Sequence, residues 1–135
     1  MNIKFILTIL IIISLFNSNS NLNCKDFKKG SFHVKEPNGT EIYYTLERYE
    51  FNQIETNIFG DKIYYTIKWI NDCSYLQKFD GTKMKLTDEM KMVNEDGGMI
   101  VELLEMKNDS TITFQSYVKK FKDLSLVKGE FRKFN

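Results

Sequence analysis

Lys62-Ile63-Tyr64-Tyr65-Thr66-Ile67-Lys68-Trp69-Ile70 is the stretch whose reading decides the fold. Ile63, Tyr65, Ile67 and Trp69 alternate with Tyr64, Thr66 and Lys68, so one face is wholly apolar and the other carries the polar members. A period of two belongs to a half-buried strand; an amphipathic helix would space its apolar residues three and four apart. Gly60-Asp61 precedes the run and Asn71-Asp72 follows it, both of them turn chemistry.

The same pattern continues outward in both directions. Ser74–Phe79 reads as the returning strand, ended by Asp80-Gly81. Upstream, Ile42-Tyr43-Tyr44-Thr45-Leu46 echoes Ile63-Tyr64-Tyr65-Thr66-Ile67, which we read as one strand pattern meeting one core twice. Lys29–Lys35 sets Phe32 and Val34 on one face, and Glu36-Pro37-Asn38-Gly39 turns it into the next strand. A bend near Tyr49–Phe51 leads to a short strand at Gln53–Asn57. Further on, Thr87 stands as N-cap to a short helix near 87–95, with Asp88 and Glu89 in its first turn. Gly97-Gly98 releases the chain into strands at Met99–Met106, Ser110–Val118 and Leu124–Phe134. The expected fold is all-β: an antiparallel up-and-down meander of about eight strands curling into a small lipocalin-like barrel, since closure removes exposed edges. Ile42, Tyr44, Leu46, Ile63, Tyr65, Ile67 and Trp69 are the expected core, with Tyr43, Glu47, Tyr64 and Lys68 facing outward.

Residues 1–20 read as a secretory signal peptide, with Lys4 before an apolar run from Phe5 to Phe16 and a small-x-small site at Ser18 and Ser20. The run is short against the roughly 20 residues that ~30 Å of hydrocarbon requires, so no transmembrane span is expected after cleavage. Residues 21–135 then form a single β domain, exported to the periplasm, cell envelope or medium. Asn17–Asn23 is expected to remain a disordered tether. Cys24 and Cys73 are the only cysteines, and in an oxidising compartment an even pair reads as a disulfide. The alternative is acylation of Cys24 as a lipoprotein, though Asn21 and Asn23 are poor residues for that signal.

Charge is balanced: the chain holds 19 basic and 18 acidic residues, and one base, Lys4, lies in the leader. That balance excludes the strong basic field a nucleic-acid binder needs. The densest basic run, Lys119, Lys120 and Lys122 with Lys128, Arg132 and Lys133 behind it, reads as solvated strand and turn positions. Eleven Phe, seven Tyr and one Trp fit a pleated, half-buried surface.

Cys24-Lys25-Asp26-Phe27, Gly30-x-Phe32, Gln53-Ile54-Glu55 and above all Trp69-Ile70-Asn71-Asp72-Cys73-x-Tyr75 resemble a group of small exported bacterial proteins with no established activity. The resemblance covers roughly 24–79. Some members carry a DNA topoisomerase IV label, a naming error for a neutral chain of this size. The group's cysteines fall where Cys24 and Cys73 fall, which implies their pairing. The resemblance implies no catalytic residues.

Chemistry-bearing residues are sparse. His33 is the single histidine and has no second for a metal site. Asp72 sits at a hairpin tip, and Asp88, Glu89, Glu95 and Asp96 lack the spacing of a calcium loop. Trp69 belongs to an apolar strand face and reads as core before ligand-stacking residue. Asn38-Gly39-Thr40 and Asn108-Asp109-Ser110 are formal glycosylation sequons at turn positions. Glu41, Glu47 and Glu55 are the carboxylates with access to a barrel mouth, although alternation sets Glu41 and Glu47 opposite the core face. No catalytic, cofactor or metal residue is assigned, and the chain is read as a non-enzyme. The expected function is an exported module that binds a protein or envelope component. The alternative is a lipocalin-like carrier of a small apolar ligand.

Overall fold

The computed structural model describes residues 22–35 and 44–134; residues 1–21, 36–43 and Asn135 lie outside the described residues. Ile42, Tyr43, Glu41 and the Asn38 sequon therefore fall outside them. The strands are β1 (Gly30–Lys35), β2 (Tyr44–Arg48), β3 (Asn52–Thr56), β4 (Lys62–Asn71), β5 (Ser74–Phe79), β6 (Met99–Asn108), β7 (Thr111–Val118) and β8 (Val127–Lys133). They pair in chain order, each antiparallel to the next, and β8 pairs β1 to close the barrel. Closure leaves no unpaired edge among them.

Register follows the alternation. Phe32 lies opposite Leu46, Glu55 opposite Ile63, Tyr65 opposite Phe79 and Trp69 opposite Tyr75, so each pair shares the inner face. Leu46, Tyr65 and Ile67 are buried; Tyr44, Ile63 and Trp69 are half-buried. Glu47 and Lys68 are exposed, whereas Tyr64, expected to face water, is half-buried beside Ile54 and Lys83. Gly129 faces inward opposite Phe114. A side chain there would meet the Phe114 ring at 2.7 Å and the Lys35 carbonyl at 2.6 Å, so only glycine lets that ring lie across β8. The Phe114 ring stacks on Phe131 at 4.1 Å.

The helix at α1 (Asp88–Glu95) starts where the sequence places it, with Thr87 Oγ1 accepting from Met90 N at 3.2 Å. Two shorter turns were not expected. Cys24–Phe27 forms a 3₁₀ turn with both end residues buried. Lys122–Ser125 forms α2, whose last two residues fall where the strand Leu124–Phe134 was expected to begin; Ser125 Oγ donates to the Phe121 carbonyl and accepts from Val118 N, closing the chain on itself before β8. The tether reading is corrected at its end: Leu22 packs on the core, and Asn23 Nδ2 donates to Asp26 at 2.8 Å.

Candidate functional site

The two ends of the barrel differ. Strand direction puts the starts of β1, β3, β5 and β7 at one end and the starts of β2, β4, β6 and β8 at the other. The first end is closed by the 3₁₀ turn: Phe27 is fully buried and stacks on Phe32 at 5.7 Å. The disulfide Cys24–Cys73, with Cα atoms 5.3 Å apart, ties this plug to the β4–β5 turn. Lys28 reinforces the same tie, pairing with Asp72 at 3.3 Å and lying 5.1 Å from the Trp69 ring centre.

Above the plug sits Arg48, a charged residue 2% exposed. Nε donates to Gln53 Oε1 at 3.0 Å and Nη2 to Tyr75 Oη at 2.7 Å, while Nη1 donates to the Phe27 carbonyl. The guanidinium carbon lies 4.6 Å from the Tyr75 ring centre, 4.9 Å from Phe131 and 5.3 Å from Phe32. Burying a cation costs several kcal/mol. Charged hydrogen bonds of about 1.5–3 kcal/mol each, with ring contacts of about 0.5–2, are what offset it here. Burial lowers the Arg48 pKa, opposed by Tyr75 and Glu55, and burial pushes Tyr75 up to about 12. The sequence reading missed Arg48. Its signal was phase: residue 48 is in step with the inward pair Tyr44 and Leu46.

From Arg48 a polar line climbs one wall. Gln53 Nε2 donates to Gln77 Oε1 at 3.1 Å and reaches Glu55 Oε1 at 3.4 Å; Tyr65 Oη donates to Glu55 Oε2 at 3.2 Å. Gln77 Nε2 meets Met99 Sδ at 4.0 Å, a weak acceptor. Glu55 thus points inward, whereas Glu47 lies exposed on the outside.

At the far end the inward side chains are no longer sealed. Tyr44 begins β2, Ile63 stands near the start of β4, Met99 begins β6 and Val127 begins β8; all four are half-buried. Glu55, Phe79 and Ser116, near the ends of β3, β5 and β7, are half-buried too. Inward residues nearer the plug, such as Leu46, Gln53, Ile112 and Phe131, are 0–2% exposed, and Val34, opposite Tyr44, is sealed as well. The inner face is therefore sealed around Arg48 and partly exposed where several strands end at the far rim, which we call the mouth. One wall of the mouth is polar at Glu55 and Gln77, and the rest is mostly apolar.

The remaining candidates stay apart. His33 stacks on Phe134 at 4.1 Å, and Asp88 and Asp96 pair with Lys91 and Lys120 at 4.0 and 3.7 Å. No cluster of three metal-ligating residues occurs among the described residues. The basic run is dispersed: Lys122 lies over the Tyr117 ring and Lys133 over Phe27. Asn108 Oδ1 accepts from Ser110 N and Oγ, ordinary turn bonding. On the outer wall Tyr117 donates a short hydrogen bond to Glu102, which pushes its pKa up to about 12. A groove of about 460 Å³ lies at Leu104, Thr113, Phe114 and Gly129, edged by Lys35, Lys128 and Glu130. No described helix is long and apolar enough to cross a membrane.

No protein-family model matches the chain, and no curated protein matches it. Among solved structures, a de novo designed fluorescence-activating β-barrel is similar over 84% of this chain and 99% of that one, at 13% identity and a TM-score of 0.39. At that score the barrel is described by its own strand pairing and by nothing borrowed.

Proposed function

We propose that the chain is an exported, lipocalin-like binder that holds a small, largely apolar molecule in the mouth half of its barrel. The observation that carries this reading is the half-burial of Glu55, Ile63, Phe79, Met99, Ser116 and Val127 on the inner face toward the mouth, above the sealed Leu46, Gln53, Ile112 and Phe131. A concave, mainly apolar site with a few polar groups on one wall is the ordinary form of a small-molecule site. Export is supported by the leader and by the Cys24–Cys73 bond, which suits an oxidising compartment. Docking onto a protein or envelope component has less behind it. The exposed apolar side chains are scattered, with Phe51 at the closed end and Leu124 at the mouth end.

The test is a fluorescence titration with the neutral probe N-phenyl-1-naphthylamine, run on the domain without its leader. Saturable binding is expected, and Ser116→Trp, which fills the mouth, should abolish it while the barrel stays folded. An absence of probe binding, or undiminished binding by folded Ser116→Trp, would sink the reading.

A further inference from the structure

We propose that the rim of the mouth docks on anionic bilayers, with Leu124 and its neighbours on the β7–β8 connection and Phe59 on the β3–β4 turn entering the lipid. Leu124 and Phe59 are the two most exposed large apolar side chains among the described residues, at 90% and 83%. Eight strands in a closed ring put the β3–β4 and β7–β8 connections four strands apart, on opposite sides of the mouth. A flat surface that touches both tips therefore lies across the opening. A bilayer takes up separate side chains one at a time, whereas a folded partner needs one continuous patch. The contact goes beyond the carrier reading and does not depend on it.

Both tips are shaped by their own hydrogen bonds. Asn57 Oδ1 accepts from Phe59 N at 2.9 Å and from Asp61 N at 3.0 Å, and Gly60 takes φ +86° to finish the turn that carries Ile58 and Phe59. Ser125 Oγ joins Val118 N to the Phe121 carbonyl, and Leu124 stands out from α2 with Phe121 and Leu126, both also exposed. Charge selects the partner. Lys119, Lys120, Lys122 and Lys128 flank these side chains, all exposed, against the single acid Asp123. Lys120 also pairs with Asp96 at 3.7 Å and Lys122 lies over the Tyr117 ring, and both remain exposed. Basic groups around an apolar tip draw a surface segment onto anionic lipid. Phe51 at the closed end is exposed too, but it follows Glu50, with Glu47 and Lys29 on the same rim, and lacks a basic flank. On α1, Asp88, Glu89 and Glu95 stand exposed against Lys91. A membrane resting on the two tips can tilt about the line joining them, away from that helix.

The experiment is co-sedimentation of the domain, freed of its leader, with vesicles of phosphatidylcholine and phosphatidylglycerol, two to one, against phosphatidylcholine alone. Binding to the mixed vesicles is expected, at least ~5-fold tighter than to phosphatidylcholine. Leu124→Asp should weaken it at least ~10-fold and Phe59→Asp at least ~3-fold, as the loss of one inserted apolar side chain allows. Phe51→Asp should stay within ~2-fold of the wild type, because that side chain lies at the closed end. All three side chains are exposed in the free domain, so the variants keep the barrel, which circular dichroism checks. Without lipid the domain is expected to sediment as a monomer. No binding to the mixed vesicles would overturn the inference, and so would binding that Leu124→Asp and Phe59→Asp leave intact or that Phe51→Asp lowers as much. Equal binding to both kinds of vesicle would overturn the anionic selection. A lipid-free dimer that Leu124→Asp dissolves would give the tips to a second copy of the chain and overturn the lipid assignment.

Discussion

Arg48 and Glu55 lie two strands' edges and one glutamine apart, yet they sit in opposite kinds of surroundings. Arg48 is surrounded by rings and donates from each of its nitrogens, 2% exposed beneath the polar line. Glu55 is half-buried at the level where the inner face begins to meet solvent. The lower half is tied down at its rim by a disulfide and filled by aromatic side chains, so it acts as foundation. The mouth half uses the same strands but leaves several of its inward side chains, Ile63, Phe79, Met99 and Val127 among them, partly wet. A small barrel cannot be filled throughout and still hold a ligand, and here the two needs are divided along the axis. The comparison teaches that the stability of this molecule and its proposed binding occupy different ends of one sheet.

That division can be broken or sharpened by substitution. The largest effect should come from Arg48→Ala, which removes the cation's bonds to the Tyr75 hydroxyl, the Gln53 amide oxygen and the Phe27 carbonyl and leaves a cavity among the rings. We expect a loss of about 3–5 kcal/mol in urea unfolding; a loss under about 1 kcal/mol would mean that the lower half does not depend on this cation. Next comes the double replacement Cys24→Ala/Cys73→Ala. The bond closes a separation of 49 residues, for which the chain-entropy account gives a loss of about 4 kcal/mol. Probe affinity, measured at a temperature where the variant remains folded, should be unchanged, because the bond lies at the far end from the mouth.

Alkaline unfolding gives a third measure. The Tyr75 pKa is pushed up to about 12. The neutral phenol is thus favoured by the fold, and its contribution is complete below the ordinary tyrosine value near 10 and is lost as pH rises to 12. A decline of about 2–3 kcal/mol across that window is expected in denaturant melts, and Tyr75→Phe should flatten it. A curve that is already flat in the wild type would place Tyr75 in contact with water. Gly129→Ala should follow at about 1–3 kcal/mol, by overpacking against the Phe114 ring. The smallest effect belongs to the mouth: Ser116→Ala should change stability by no more than about 0.5 kcal/mol. A larger loss there would mean that the mouth shares in the foundation and that the division is less sharp than the exposures show.

Much of the barrel was legible before any coordinates. The alternation in Lys62–Ile70 and its echo at Ile42–Leu46 expose the strands, and Asn71-Asp72 and Gly97-Gly98 mark where they stop. Thr87 announces α1 through a cap that is local to one turn. The polar interior was harder to see. Arg48, Gln53 and Gln77 read as surface residues by type, and only their phase contradicts it. Glu55 was singled out as a carboxylate with access to a mouth, but its bond from Tyr65 comes from the adjacent strand β4, which local reading does not reach. The 3₁₀ plug and α2 were missed because what holds them lies elsewhere: Cys73 and the β-barrel floor for the first, Val118 for the second.

By itself the sequence determined the strands, their faces and their antiparallel order. Side-chain alternation and turn residues are local properties, and a closed meander follows when every strand has one apolar face and short connections. It also marked the two cysteines as partners. Tertiary structure alone decided which end carries the 3₁₀ plug, because that depends on where the N-terminal segment returns after the strands close. It decided as well that a buried arginine is tolerable. Its hydrogen bonds and ring contacts come from strands scattered along the chain, and only their convergence offsets the cost of removing the charge from water.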